Sequence, residues 1–418
     1  MNNHDLQAGP QIKCQICSNT DLKTVIDLGN QPLADKLSPV ENAYLEETSY
    51  PLEQKWCNIC GLNQLSYITP AEIMFGDNYN YKTGVTKELI AYQAEMAADL
   101  VSSLDIKNNE LVCDLGSNDG TLLKGFKKAG VRVIGVEPTN IADLANLEGI
   151  KTLRMPFGEV AANEIVQKEG KATLATATNV FAHVQKLGDF IRGLDLVLHE
   201  NGWFCFENHY LAEIMSSTQY DTIYHEHLRS LSVSAVVNLF SQYNFSVVRV
   251  QQTSRYGGNI RVTVRKGLHD SIDGSVEDFL QQEKNLGFFS QDTYDNFKKK
   301  VVLSKFNLLK TLINLKEEGK SVAGYSLPAR AMTLINFVGL DHNLLPYVVE
   351  QPNSLKLDKF IPGTRIPVIS NECLESSCPD YLVIFAWHLK DEIIQHLRGR
   401  NIQAVCIIPL PEVTLIEL

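Results

Sequence analysis

Glu110-Leu111-Val112-Cys113-Asp114-Leu115-Gly116-Ser117-Asn118-Asp119-Gly120 begins as an apolar run and ends in glycines and short polar side chains. The run has the composition of a buried strand, and the break has the composition of a tight turn. Residues 121–130, TLLKGFKKAG, read as the helix that leaves the turn. VRVIGVEP (131–138), ATLATATNVF (172–181) and GWFCFENHY (202–210) read as three more strands, with helix-like stretches between them. Such alternation implies a doubly wound sheet. Upstream, KELIAYQAEMAADLVSSL (87–104) has helical apolar spacing. Downstream, residues 245–266 read as two strands around a loop holding Gly257 and Gly258. Residues 275–318 read as polar helix bridging two halves, with Lys298, Lys299 and Lys300 on a solvated face. From residue 320 the alternation restarts: SVAGYS, LPYVVE, RIPVIS, DYLVIFAW and AVCIIPL read as strands, ARAMTLINFVG and DEIIQHLRGR as helices. The fold class is thus α/β, and the expected division is 1–70, 71–270 and 271–418.

The composition excludes several classes. Hydrophobic residues make up 44% and charged residues 21% of 418, enough to bury real cores. A formal net charge of -11 argues against nucleic acid as a partner, since phosphates demand a basic face. No apolar run approaches the roughly 20 residues of a membrane span. The opening MNNHDLQAGPQIK has no basic region followed by an apolar core. The expectation is a cytoplasmic chain with no membrane partner.

The turn after the first strand carries the first chemical signal. Gly116 and Gly120 let the backbone turn tightly and approach a ligand, and the following helix N-terminus faces the same place. About 17 residues after Gly120 stands Glu137, at the end of the second strand and suited to the two hydroxyls of a ribose. A dinucleotide site would show GxGxxG to admit a pyrophosphate. Here Asn118 and its neighbours occupy that room, which favours S-adenosylmethionine, a ligand without phosphate. The alternative is an α/β turn with no ligand. Asp114, Gly116, Asn118, Gly120, Glu137 and Asn179, the last at the end of the third strand, are the candidate cofactor residues.

Cys14-Gln-Ile-Cys17 and Cys57-Asn-Ile-Cys60 have the paired spacing of a four-thiolate zinc knot. Four thiolates close the coordination shell, so the metal is structural and supplies folding energy to residues 1–70, whose apolar content is thin. The intervening stretch of roughly 40 residues is longer than the common spacing. Ordinary buried cysteines or a redox pair are the alternatives.

The densest cluster of titratable side chains is Tyr224-His225-Glu226-His227, in QYDTIYHEHLRSLS (219–232). His183 lies upstream, just past the third strand. Histidines, a carboxylate and a phenol suit proton abstraction next to a carbonyl, because imidazole titrates near 6.5. Glu226 is expected to orient the neighbouring ring and raise its pKa, and Tyr224 or His183 to donate to the developing enolate oxygen. The histidines flank one glutamate directly, unlike HExxH, so a catalytic metal is disfavoured. A polar network holding a domain joint is the alternative.

In its motifs the chain resembles the zinc-containing sugar C-methyltransferases, which methylate carbon 3 of thymidine-diphosphate 4-keto deoxysugars. The motifs run in order over nearly the whole chain: CQICSN, DLGNQPLAD, YPLEQKWCNICGLNQL, YNYKTG, LGSNDGTLL, GVEPTN, NVFAHV, DTIYHEH, GGNIR, VAGYS, PGTRIPV, DYLVIFAW and KDEI. The resemblance implies an N-terminal zinc-binding module, a central class I S-adenosylmethionine methyltransferase domain of Rossmann-like fold and a smaller Rossmann-like C-terminal domain that helps hold a nucleotide sugar. It makes His227 the base, with Glu226 beside it. Tyr224 and His183 would line the sugar, and Tyr81 in YNYKTG would lie near the methyl donor. His225, Tyr256 and Arg330 are the further substrate candidates. The C-terminal motifs depart from the family: GYSLPARA stands for GYGAPAKG, AWHL for AWNY, and Tyr256-Gly257-Gly258 for HGG. Arg330, in place of a lysine near a helix start, would face a diphosphate or lie on the surface. The implied activity is transfer of methyl to the carbon alpha to a ketone in a nucleotide-linked 4-keto-6-deoxysugar. Methylation of another ketone, of oxygen or nitrogen, or sugar-nucleotide binding without chemistry are the alternatives.

Overall fold

In the computed structural model, which describes residues 4–42, 46–74 and 82–418, ELVCDL becomes the strand Leu111–Leu115, buried along its length. It lies inside a seven-stranded sheet. The order is Phe245–Thr253, Asn259–Lys266, Leu198–His209, Ala172–Thr178, Leu111–Leu115, Arg132–Val136, Thr152–Leu153. The last five pair in parallel, and Asn259–Lys266 runs against both its neighbours. Side chains alternate faces along a strand. Val112, Leu174 and Cys205 therefore meet Met96, Leu100 and Phe126 on one face, while Leu111, Cys113 and Ala175 join the larger core on the other. Helix Lys87–Ser103 covers the first face through a stripe of Leu89, Gln93, Met96, Ala97 and Leu100, and the Thr86 side chain caps it by accepting from the Leu89 N–H.

From Leu111–Leu115 the chain builds outward to one edge and then crosses back to Ala172–Thr178. That reversal opens a crevice between the carboxyl ends of these two neighbouring strands. Gly116 and Asn179 stand at its lips.

The N-terminal module does not close on itself. Its sheet consists of Leu22–Pro32, Ser49–Cys57, Asn63–Leu65 and Arg229–Ser230, so its fourth strand comes from far along the chain. Trp56 stacks on Tyr294 of the long helix Gln291–Glu317, ring centroids 4.5 Å apart. The thin apolar content of residues 1–70 is thus offset by a shared core. The five strands read after residue 320 form the parallel centre of a second sheet, flanked by Thr414–Glu417 and Lys359–Phe360. Ser38–Pro39 of the N-terminal module adds its outermost strand.

Asp221 ties this second sheet to the centre. Its carboxylate accepts from Arg330 Nε and Nη2, each at 2.8 Å, and from the indole N–H of Trp387 at 2.8 Å. The guanidinium also lies 4.9 Å from the Trp387 ring centroid. Both charges are buried, so the forked geometry and the extra donors are what make the pair tolerable. Asp221→Ala leaves Arg330 buried and uncompensated. The expected loss is about 3–5 kcal/mol, read by equilibrium urea unfolding. A shift below about 1 kcal/mol, the worth of an exposed pair, would show that the joint does not depend on it.

Candidate active site

The turn at the crevice is built from left-handed residues: Gly116 (φ 73°), Asn118 (φ 49°) and Gly120 (φ 76°). A side chain on Gly116 would place its Cβ 2.6 Å from Val180, so only glycine lets the two lips meet. Asn118 and Asp119 face the chain before the first long helix. Asn118 Oδ1 accepts from the Thr83 N–H at 2.8 Å, and Asp119 Oδ2 from the Gly84 N–H at 2.7 Å. Thr83 and Gly84 belong to YNYKTG; Tyr81 of that motif lies outside the described residues. Glu137 is buried just past strand Arg132–Val136. One oxygen accepts from the Asn118 N–H at 3.0 Å and the other from the Thr139 N–H at 2.9 Å and hydroxyl at 2.6 Å. Oε2, which accepts a single bond, keeps a lone pair for a ribose hydroxyl, and the bonds to Oε1 fix the carboxylate in place. The turn, the helix N-terminus beyond it and Glu137 together fit an adenosyl ligand. Asp114 sits under the turn. The Thr176 hydroxyl donates to it at 2.7 Å, and burial raises its carboxyl to about 7.

Across the crevice, Asn179 (φ 54°) accepts from Asn259 Nδ2 at 2.9 Å and begins the short turn that carries His183. This turn meets the 219–232 segment. The His183 and His227 ring centroids are 4.8 Å apart, edge to face, and His209 lies 5.2 Å from His227 on another side. His227 Nδ1 is 2.6 Å from the Thr222 carbonyl oxygen. A carbonyl can only accept, so Nδ1 holds the proton and Nε2 keeps its lone pair. That lone pair accepts from the Tyr224 hydroxyl at 2.9 Å. Burial holds His227 well below the ordinary histidine range, His183 at about 4 and His209 at about 3. The geometry therefore presents a neutral imidazole with a defined basic nitrogen.

Two expectations are corrected here. The Thr222 carbonyl, rather than Glu226, orients the His227 ring, and the pKa falls instead of rising. Neighbours in a turn point apart: Glu226 lies in the field of Asp35, Lys356 and Lys36, and burial raises its carboxyl to about 8. His225 also turns away. It is buried with Nε2 against the Tyr50 carbonyl at 3.2 Å and packs edge-on to that ring, so it does not share a face with His227. Arg330 is 7% exposed and gives its donors to Asp221, the Gln219 side chain and the Tyr256 carbonyl. Tyr256 (φ 54°) lies with its ring 6.1 Å from His209. The sequence reading missed His209, although it ends strand Leu198–His209, where the rule that ligands sit at carboxyl ends of strands would have flagged it. It also missed Thr222, which acts through its backbone and leaves no side-chain signal.

The four cysteines converge as their spacing implied. Their sulfurs all lie within 4.8 Å of one another, with Cys14–Cys60 and Cys17–Cys57 both at 3.4 Å. A tetrahedral zinc with bonds near 2.3 Å asks for sulfurs about 3.8 Å apart, so the set fits. The Ile16 N–H and Asn19 Nδ2 approach Cys14 and Cys57 sulfur at 3.5 Å, as donors to bound thiolates do.

Comparison with known proteins agrees with this layout. Residues 14–75 match a putative zinc-binding domain, 89–250 a methyltransferase domain and 254–411 the C-terminal domain of C-methyltransferases. Over 416 residues the chain is 30% identical to the C-methyltransferase NovU of Streptomyces niveus, covering 98% of this chain and 97% of that one. The chain belongs to this C-methyltransferase family. It is an S-adenosylmethionine-dependent methyltransferase with a zinc-binding N-terminal domain. Solved structures similar to part of it include the 1,6-didemethyltoxoflavin N1-methyltransferase of Burkholderia thailandensis, at 18% identity and TM-score 0.34 over 43% of this chain and 79% of that one. Another is the magnesium protoporphyrin IX methyltransferase of Synechocystis, at 14% identity and TM-score 0.33 over 45% and 87%. Among the described residues no helix is long and apolar enough to cross a membrane.

Two outcomes follow for the C-methyltransferase. His183, His209, His227 and His388 all have pKa values depressed below 6.5 by burial. Below about pH 6.5 the unfolded chain therefore binds protons that these folded rings refuse, and stability falls as pH falls. The carboxyls of Asp114, Glu226 and Glu283, all raised by burial, act in the opposite sense but are fewer. Thermal unfolding should thus show Tm dropping steadily between about pH 6.5 and 4, at about 1.4 kcal/mol per net proton per pH unit. A level Tm across that range would contradict the buried neutral cluster. Stripping zinc with a strong chelator should lower Tm and release one metal per chain. Unchanged unfolding after complete removal would show the knot to be dispensable.

Proposed function

We propose that this C-methyltransferase removes the proton alpha to the keto group of a nucleotide-linked 4-keto-6-deoxysugar, a thymidine-diphosphate sugar first among candidates, and methylates that carbon. The observation that carries the reading is the His227 tautomer: Nδ1 fixed on the Thr222 carbonyl, Nε2 basic and beside the Tyr224 hydroxyl. An acceptor oxygen or nitrogen with an acidic proton would need no such buried base. A carbon acid does, because its proton leaves only when a base and an oxyanion donor act together.

S-adenosylmethionine, when bound, supplies an electrophilic methyl. The chain's residues do the rest. His227 Nε2 takes the proton. Tyr224 swings its hydroxyl from Nε2 to the keto oxygen as charge grows there, and His183 stands ready as a second donor. A depressed pKa keeps His227 unprotonated at neutral pH but weakens it as a base, so stabilising the enolate oxygen must contribute much of the rate. Gly116 abuts Val180, three residues before His183, which supports a donor methyl beside the enolate carbon. Arg330, fork-bonded to Asp221, would serve the sugar by holding the Tyr256 carbonyl rather than by gripping phosphate itself. His225 and Glu226 would shape the turn, with Glu226 a neutral carboxyl near pH 7.

In deuterated water without methyl donor, the alpha carbon of a 4-keto nucleotide sugar should exchange its proton. With labelled donor and a panel of such sugars, NMR should locate the new methyl on that carbon. His227→Asn should cut both exchange and turnover by at least about 10²-fold with donor binding retained. Near-normal turnover would remove His227 as the base, and methyl found on oxygen would remove the carbon-acid mechanism.

A further inference from the structure

Arg229 is 1% exposed, one residue pair from the catalytic turn, and among the described residues no carboxylate lies within ion-pair reach of it. Burying a guanidinium without a counter-charge is costly, and burial alone lowers this one to about 9. Its bonds show what the arrangement holds together. Nε donates to Gln15 Oε1 at 2.9 Å, Nη1 to the Phe181 carbonyl at 2.8 Å and Nη2 to the Val184 carbonyl at 2.7 Å. Phe181 and Val184 bracket His183. Gln15 sits between two zinc-binding cysteines, Cys14 and Cys17, and its own N–H donates to Gln64 Oε1 at 2.8 Å. Arg229 and Ser230 meanwhile pair with Gln64 and Asn63 as the last strand of the zinc module, and the Leu65 N–H donates to the Leu228 carbonyl at 3.0 Å. One side chain thus bridges the knuckle to the His183 turn, while its backbone leads directly from His227.

We propose that Arg229, held by Gln15 of the zinc knuckle, is a positioning residue that sets His183 against His227, so that the metal site fixes the geometry of the catalytic histidines. The zinc module thereby acts on the reaction without touching substrate. The proposal rests on the assignment of His227 and His183 to the reaction.

The test uses the zinc-loaded full chain. Gln15→Ala removes one acceptor and keeps every cysteine; Arg229→Lys keeps the charge but cannot bridge three acceptors. Both should keep one zinc per chain and bind S-adenosylmethionine as the parent does. A displacement near 1 Å in the catalytic groups can cost about 10²-fold, so kcat should fall roughly 10- to 10²-fold with KM little changed. Independently of activity, the imidazole NMR signals of His183 and His227, assigned through His183→Gln and His227→Asn, should shift in Gln15→Ala. Unmoved signals and unchanged kcat in a folded Gln15→Ala would overturn the proposal. If His227→Asn proves active while the signals still move in Gln15→Ala, the base assignment fails and the coupling stands.

Discussion

Two buried guanidiniums bracket the segment that carries the proposed base, and the packing around that segment follows from how each is satisfied. Arg330 reaches in from the helix Ala329–Val338 of the C-terminal region to Asp221, and Arg229 reaches out to the zinc knuckle and the His183 turn. Between Asp221 and Arg229 lie seven residues, Thr222, Tyr224 and His227 among them. A buried cation tolerates few alternative arrangements, since each lost bond leaves charge in a poorly polarisable medium. The segment has little regular structure of its own, a 3-10 turn at Tyr220–Thr222 and the two-residue strand Arg229–Ser230, so these side-chain bonds are what fix its course.

That rigidity bears on the chemistry. The histidines are neutral because they are buried together, each disfavouring charge on the next. The proposed base is consequently unprotonated but weak, and the fixed donors around it must compensate by stabilising the product of proton removal. Precise placement of His183, Tyr224 and His227 then matters more than intrinsic basicity.

Much of the fold is legible in the sequence because central strands such as Leu111–Leu115, Arg132–Val136 and Ala172–Thr178 are five- to seven-residue apolar runs separated by clear turns, and the doubly wound order follows from their alternation with helices. The cysteine pairs were equally plain, since their spacing carries the geometry. What escaped were pieces shaped by tertiary contact. Thr152–Leu153, Ser38–Pro39 and Arg229–Ser230 are two-residue strands that exist only because a neighbour's edge pairs with them. In the site, adjacency misled: Glu226 stands next to His227 in the chain but faces elsewhere, and a backbone carbonyl does the orienting. Arg330 read as a free cation because its partner Asp221 lies more than a hundred positions away. His209 was overlooked although its strand had been recognised.

The borrowed strands also order events during synthesis. The cysteine knot can close once residue 60 has emerged, but the edge of its sheet beside Asn63–Leu65 stays bare until Arg229 and Ser230 arrive, and Ser38–Pro39 waits for Lys359–Phe360. A nascent chain therefore carries exposed hydrogen-bonding edges through most of its translation, a period when other chains could pair with them.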